Sequence, residues 1–211
     1  MTGAVLYLCV CASAYGAVID RIAVTVEKQV ITESDLITDL RVDAFIDRKA
    51  VDLSPAAKKE AAVRLVDQIL ILREAADSHL DLGTPEDGAT LIAEEKSKFS
   101  SEEDFRKELV NYRITEADLG AHLLNGWRAL RFTDARFRPE VQLSDAELRE
   151  YYDNLVSSWR KGGRTSIPTF EESREQVEKL ATEDRILKAL DMWLSTARDS
   201  KEIQYREAVF K

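Results

Sequence analysis

Helix start signals recur along this chain and constrain its fold more than any other feature. In a capping box, a Ser or Thr hydroxyl accepts a hydrogen bond from the first helical turn, and an acid three residues later accepts one from the cap's own N–H. Five segments have this spacing: Thr32 and Asp35, Thr84 and Asp87, Ser101 and Asp104, Thr115 and Asp118, and Ser144 and Glu147. Ser54-Pro55 adds a sixth start, because proline is favoured at the first helical position.

These starts predict six helices, and apolar spacing predicts a seventh. The six are expected over about 32–50, 54–82, 84–99, 101–112, 115–137 and 144–152. Residues 170–199 form a long amphipathic helix with an apolar stripe through Leu187, Leu190 and Leu194. Residues 157–169, which contain Gly162-Gly163 and Pro168, are predicted to be a flexible connection.

Two segments have the character of strands. Residues 22–31 are rich in β-branched side chains with a polar break at 27–29, which predicts a short strand or a loose hairpin. Residues 202–206 alternate apolar and polar side chains, as a last strand would. Only 8 Gly and 4 Pro are present, too few for the many turns of an all-β fold. The predicted class is therefore mainly α with a small β element.

Apolar stripes indicate which helices contribute to the core. The second helix carries such a stripe at Ala62, Leu65, Val66, Ile69, Leu72 and Ala76. The fifth helix carries one at Leu119, Leu123, Trp127 and Leu130. Steps of three and four residues place each set on one face, so both helices are expected to pack against other elements.

The first residues have the character of an export signal. No charged residue occurs before Asp20, and residues 4–12 are apolar and followed by small residues that suit cleavage after Ala14 or Gly16. No basic residue precedes the run, so either the signal is atypical or the true start lies upstream; a buried first strand is the alternative. Both cysteines, Cys9 and Cys11, fall inside the segment, and lipidation of Cys11 is the minor reading. We expect a periplasmic protein whose signal peptide spans residues 1–16.

The charge of the chain limits its partners. With 30 basic and 39 acidic side chains, the net charge is -9, and the summed field repels nucleic acid and anionic lipid. The basic segment Arg128, Arg131, Arg136 and Arg138 is interpreted as a solvated helix face. No nucleic-acid partner and no stable membrane insertion are expected.

The residue patterns that support catalysis or metal binding are missing from the sequence. His79 and His122 each stand alone on a predicted helix, with no His or Cys cluster at ligand spacing. No nucleophile turn, phosphate-binding glycine loop, dinucleotide fingerprint or calcium loop is found. Carboxylate pairs such as Glu94-Glu95 are expected on solvated faces. The sequence therefore predicts no catalytic residue, metal ligand or cofactor.

Aromatic side chains are the remaining candidates for a functional surface. Aromatic residues at helical spacing usually fill a core, but some can line an open groove that holds extended polypeptide. The candidate substrate-binding residues are Phe45, Phe105, Tyr112, Trp127, Phe132 and Phe137.

Residues 18–36 carry a family resemblance. They read Val-Ile-Asp-Arg-Ile-Ala-Val-Thr-Val-Glu-Lys-Gln-Val-Ile-Thr-Glu-Ser-Asp-Leu and resemble the opening of the mature SurA-type periplasmic chaperones. Residues 65–76 look like the central helix of that family, and residues 105–109 with 114 onward look like the two helices after it.

The C-terminal half extends the resemblance. Residues 143–152 are similar to the short helix before the family's parvulin-type isomerase domain, and residues 170–177, 193–194 and 203–205 to the helix and strand after it. Only residues 153–168 occupy the place of that domain. The resemblance implies that the first and last strands pair.

The resemblance also implies an organisation of the chain. A helical chaperone domain spans residues 17–137, and residues 138–169 form a short helix and linker where an isomerase domain would be inserted. The helix and strand of residues 170–211 complete the same domain.

The leading functional hypothesis is an ATP-independent holdase that binds unfolded or nascent outer-membrane polypeptides in an apolar helical groove. The first alternative is a peptidyl-prolyl isomerase relative with residual activity, which the missing domain disfavours. The second alternative is an envelope adaptor with one dedicated partner.

Overall fold

The computed structural model describes residues 20–80, 82 and 84–211, so the predicted signal peptide with Cys9 and Cys11 lies outside the described residues. Three strands are present: β1 (Ile22–Val26), β2 (Gln29–Thr32) and β3 (Ile203–Tyr205). Seven α-helices are present: α1 (Glu33–Ile46), α2 (Pro55–Asp77), α3 (Pro85–Lys96), α4 (Glu102–Tyr112), α5 (Glu116–Phe137), α6 (Asp145–Lys161) and α7 (Phe170–Asp199). The predicted class, mainly α with a small β element, is confirmed.

The helix starts lie where the sequence predicts them. Thr32, Thr115 and Ser144 form complete capping boxes at α1, α5 and α6. At α3 the Asp87 carboxylate accepts a hydrogen bond from the Thr84 backbone N–H at 2.7 Å. Thr169 and Glu172 form a further capping box at α7, which sequence reasoning missed although its spacing is the same.

Several helix ends differ from the prediction. Helix α1 ends at Ile46, α2 at Asp77 and α3 at Lys96, each several residues early. Arg48, His79 and Arg113 follow α1, α2 and α4 with φ of 53°, 54° and 56°. These left-handed residues end helices as a glycine would, but their side chains give no signal in the sequence.

The prediction of a flexible connection over 157–169 is wrong in its first part. Helix α6 continues to Lys161 and leaves only residues 162–169 between the helices. Leu155 and Val156 extend the apolar face of α6, and Val156 is 7% exposed. No glycine or proline interrupts the helix before Gly162, so it continues as long as it can pack on α7.

The three strands form an antiparallel sheet in the order β2-β1-β3. Val24 pairs with Ile31 on one side and with Tyr205 on the other. The first and last strands therefore pair, and they bring the two ends of the described chain together. The sheet lies on α1 and α2 through a core in which Val24, Leu36 and Val66 are fully buried.

Helix α6 and the first part of α7 pack together as a hairpin. We call α6 together with residues 162–181 the hairpin arm. Leu148, Phe170, Val177 and Ala181 make its own small apolar core. The later half of α7 joins a different core with α2 and α5, which includes Ile186 and Leu194. One long helix thus belongs to the body at its C-terminal end and to the arm at its N-terminal end.

The apolar stripe predicted for α5 is only partly buried. Leu119 is fully buried, but Leu130 is 71% exposed. The expectation that Leu130 packs against another element is wrong, since its side chain stays in solvent although Phe132 and Phe137, which follow it on α5, are buried.

Two leucines test this packing by the same substitution. Leu36→Ala is expected to lower the free energy of unfolding by about 2–5 kcal/mol, because it removes buried methylenes and leaves a cavity. Leu130→Ala is expected to lower it by less than about 0.5 kcal/mol. Urea unfolding followed by far-ultraviolet circular dichroism measures both values. Equal losses would contradict the core described above.

Candidate functional site

Three of the predicted substrate-binding residues meet in one aromatic cluster. Phe45 of α1 lies 6.0 Å from Phe105 and 5.7 Å from Tyr112 of α4, both edge-to-face by ring centroids. Phe99, in the loop before α4, stacks on Phe45 at 5.6 Å. Edge-to-face and offset-stacked rings stabilise one another beyond the area that they bury. We call these four residues the aromatic cluster.

The aromatic cluster opens onto a groove on the protein surface. The groove has a volume of about 310 Å³, and Phe45, Phe99 and Tyr112 line it. Phe105 is fully buried behind it, whereas Phe99 and Tyr112 are half-buried. The cluster thus has a rigid base and a wall that solvent reaches.

Charged side chains form the rim of this groove. The Arg48 guanidinium lies 5.5 Å from the centre of the Phe99 ring and donates a hydrogen bond to the Lys98 carbonyl at 3.2 Å. Asp104 and Glu108 lie on the same rim. Tyr112 donates from its hydroxyl to the Lys49 carbonyl at 3.0 Å, which holds the ring in place. The groove therefore has an apolar wall and a rim of both charges.

Glu95 does not have the solvated position that the sequence suggested. Its side chain is 6% exposed, and it pairs with the Lys98 ammonium at 2.5 Å. The prediction for this residue is wrong, because Lys98 lies one turn further on and compensates for its burial. The pair supports the loop that carries Phe99.

The other three predicted residues lie away from the groove. Phe132 is fully buried and Phe137 is 5% exposed, and both belong to the core between α2, α5 and α7. Phe132 lies 5.4 Å from Trp193 by ring centroids. Trp127 is half-buried beneath the Arg131 guanidinium at 5.1 Å. The candidate set is therefore divided between an open surface and the interior.

A second cleft runs along the hairpin arm. It has a volume of about 480 Å³ and is lined on one side by Leu143 and Tyr151 and on the other by Ala189 and Met192. Met192 is 73% exposed. Sequence reasoning missed this cleft, because its two walls are distant in sequence and meet only where α6 packs on α7.

A polar cluster ties α1, α2 and α5 together. The Arg64 guanidinium donates to Asp39 at 2.7 Å and to Asp43 at 2.6 Å. The His122 ring lies with Nδ1 3.3 Å from an Asp39 oxygen and Nε2 3.4 Å from an Asp43 oxygen. Each ring nitrogen of His122 thus faces a different carboxylate. We call these four residues the ionic cluster.

The ionic cluster also contains groups that bind metals. Asp39, Asp43 and His122 each offer one ligand atom, and these atoms lie within 4.8 Å of one another. Arg64 already lies against both carboxylates, so a metal ion would have to displace its guanidinium. No local sequence pattern indicates this cluster, because its members come from three separate helices.

Neither the scan against family models nor the search of curated proteins found a match to this chain. In the described part of the chain, no helix is both long enough and apolar enough to cross a membrane.

The ionic cluster leads to a pH prediction. Burial, with the neighbouring Asp39 carboxylate, raises the pKa of Asp43 above its ordinary value of 3.8. The stability that this group contributes is present below its unfolded-state pKa and is lost as pH rises through the raised folded-state pKa. Because asparagine stays neutral, Asp43→Asn is expected to become more stable relative to the natural chain as pH rises from about 3.8, as measured by urea unfolding.

Asp52→Asn is the control of opposite sign. The Ser54 backbone N–H donates to Asp52 at 2.8 Å and lowers the pKa of that carboxyl. The stability that the Asp52 carboxyl contributes is present above its unfolded-state pKa and is lost as pH falls. Asp52→Asn is therefore expected to become less stable relative to the natural chain as pH rises. Parallel pH profiles for the two variants would contradict the assignment.

Proposed function

We propose that this protein is an ATP-independent chaperone that holds unfolded polypeptides, including outer-membrane polypeptides, in the periplasm. The observation that carries the proposal is the open groove beside the aromatic cluster. At this groove the rings of Phe99 and Tyr112 are partly exposed next to one another, and adjoining exposed apolar side chains can mark a binding surface. The proposal assigns no catalytic residue and no cofactor.

The chemistry of the groove suits an extended, apolar chain segment. Phe99 and Tyr112 present partly exposed rings in front of the buried Phe45, and such rings accept aliphatic and aromatic side chains without a fixed sequence. Burying one large side chain contributes about 1.5–3 kcal/mol, so a short segment would bind weakly and exchange quickly. Weak binding with fast exchange suits a holdase, because the client must leave without the hydrolysis of a nucleotide.

The rim and the second cleft extend the surface that a client could use. Arg48 and Lys98 can interact with client carbonyls and carboxylates, and Asp104 and Glu108 with cations. The cleft along the hairpin arm adds Leu143, Tyr151 and Met192. A chain that contacts both places binds more tightly than either contact alone allows, because the second contact is intramolecular.

The resemblance of residues 18–206 to SurA-type chaperones supports the same proposal. In that family the isomerase domain is inserted between the segments that correspond here to α6 and α7. The eight residues between these two helices leave no room for such a domain. This favours a holding function over isomerisation.

A pair of matched double variants tests the groove. Phe99→Ala with Tyr112→Ala removes its half-buried wall and is expected to raise several-fold the concentration that suppresses aggregation. Val110→Ala with Leu130→Ala removes side chains that are 74% and 71% exposed outside the groove, and is expected to have no effect. Light scattering of a urea-diluted outer-membrane β-barrel protein measures both, after circular dichroism has shown that each variant is folded.

Three results would count against the proposal. Failure of the natural chain to suppress aggregation would remove the holdase function. Equal loss in both variants would mean that any exposed apolar side chain suffices. Recovery of one stoichiometric protein from an envelope extract, in place of many clients, would favour a dedicated adaptor.

A further inference from the structure

The tip of the hairpin arm differs in charge from the rest of the chain. Residues 154–170 contain no acidic side chain but include Arg160, Lys161 and Arg164, whereas the whole chain has 39 acidic and 30 basic residues. These three residues and Trp159 are here called the basic tip. Three positive charges therefore stand together in a protein whose net charge is -9.

A tight turn holds the basic tip together. Gly162 caps α6, and Gly163 has a φ of 82°, which suits glycine and lets the chain reverse. The Arg164 backbone N–H donates to the Trp159 carbonyl at 2.9 Å. The Arg164 guanidinium lies 4.8 Å from the centre of the Trp159 ring. The tryptophan and the cations are thus presented side by side.

The cations of the basic tip have no carboxylate partner among the described residues. Arg160, Lys161 and Arg164 are all exposed. Further down the arm, by contrast, Arg149 is paired with Glu171 and Arg174 with Asp145. Arg185, just beyond the arm on α7, is paired with Glu147. Favourable interaction with the C-terminal end of α6 accounts for Arg160 and Lys161 in its last turn, but not for Arg164 beyond it.

The basic tip also stands away from the body. The first residue of α7 in the body core is Ile186, and Phe170 at the start of the helix belongs to the core of the arm. At 1.5 Å per residue, these two positions are about 24 Å apart along the helix. Electrostatic interactions between exposed charges are screened beyond about 8 Å at physiological ionic strength. The acidic body therefore does not cancel the field of the tip.

We propose that the basic tip docks on a bilayer surface that contains anionic phospholipid headgroups. Arg160, Lys161 and Arg164 would face the phosphates, and Trp159 would lie at the level of the headgroups, where tryptophan is enriched. Three cations can neutralise only a few phosphates, which supports a weak peripheral contact with a bilayer rather than tight binding of nucleic acid. The net-charge argument against anionic lipid fails here, because the charge is not distributed evenly.

Vesicle co-sedimentation of the full chain tests this proposal. The natural chain is expected to bind vesicles with about 40% phosphatidylglycerol more tightly than pure phosphatidylcholine vesicles. Raising the salt concentration from about 0.1 M to about 0.5 M should abolish the difference in binding between the two kinds of vesicle. The apolar residues 4–12 are common to every variant, and the phosphatidylcholine vesicles measure their contribution.

Two double variants that each lose two positive charges isolate the basic tip. Each cation near such a surface contributes a factor of about 5 to binding, so Arg160→Gln with Lys161→Gln is expected to weaken the binding to anionic vesicles about 25-fold. Lys59→Gln with Lys107→Gln changes two exposed cations of the body and is expected to leave binding unchanged. All four side chains are exposed, so both variants should fold, which circular dichroism checks.

Several outcomes would overturn the proposal. The natural chain could bind anionic vesicles no more tightly than phosphatidylcholine vesicles. Alternatively, the two double variants could weaken vesicle binding equally. If a single-stranded oligonucleotide bound as tightly as the vesicles, and the tip variant lost that binding, the tip would be assigned to nucleic acid instead.

Tryptophan fluorescence tests the position of Trp159 directly. Trp159→Phe should remove most of the vesicle-induced blue shift; only the signal of Trp127 and Trp193 would remain. An undiminished shift would place Trp159 away from the lipid.

Discussion

The pairing of β1 with β3 is the interaction on which the rest of the structure depends. β1 is the central strand, and Val24 and Val26 on it are fully buried. Beyond the ladder itself, the Arg206 N–H donates to the Ala23 carbonyl at 2.8 Å, so the C-terminal segment is fixed to the start of the described chain. Because α7 leads directly into β3, this pairing also fixes the end of α7 against α2, where Arg198 forms a bidentate pair with Asp67 at 2.6 and 2.7 Å.

An anchored C-terminal end lets the other half of α7 leave the body. The helix contributes Leu194 to the body core and Val177 to the core of the arm, so a single rigid element connects the two. The aromatic cluster lies elsewhere, between α1 and α4, and does not depend on the arm for its packing. The proposed client groove and the basic tip are therefore separate surfaces, and the loss of one leaves the other intact.

Charge acts in three different ways along the chain. In the ionic cluster, Arg64 and His122 compensate for two carboxylates that three helices bring together. Along the arm, exposed pairs such as Arg174 with Asp145 contribute little to stability because water screens them. At the basic tip, no carboxylate in the described part of the chain pairs with the cations. Net charge describes none of these arrangements, because each depends on which side chains the fold places together.

The sequence by itself determined where the helices begin, because a capping box such as Thr115 with Asp118 satisfies its hydrogen bonds within four residues. It determined the class of the fold for the same reason. It did not determine the end of α2 at Asp77, because the left-handed geometry of His79 after the helix follows from its surroundings. Only the tertiary structure decided that Tyr112 lines an open groove while Phe132 is buried, and that His122 meets Asp39. Such outcomes depend on contacts between residues distant in sequence, and no local pattern records those contacts.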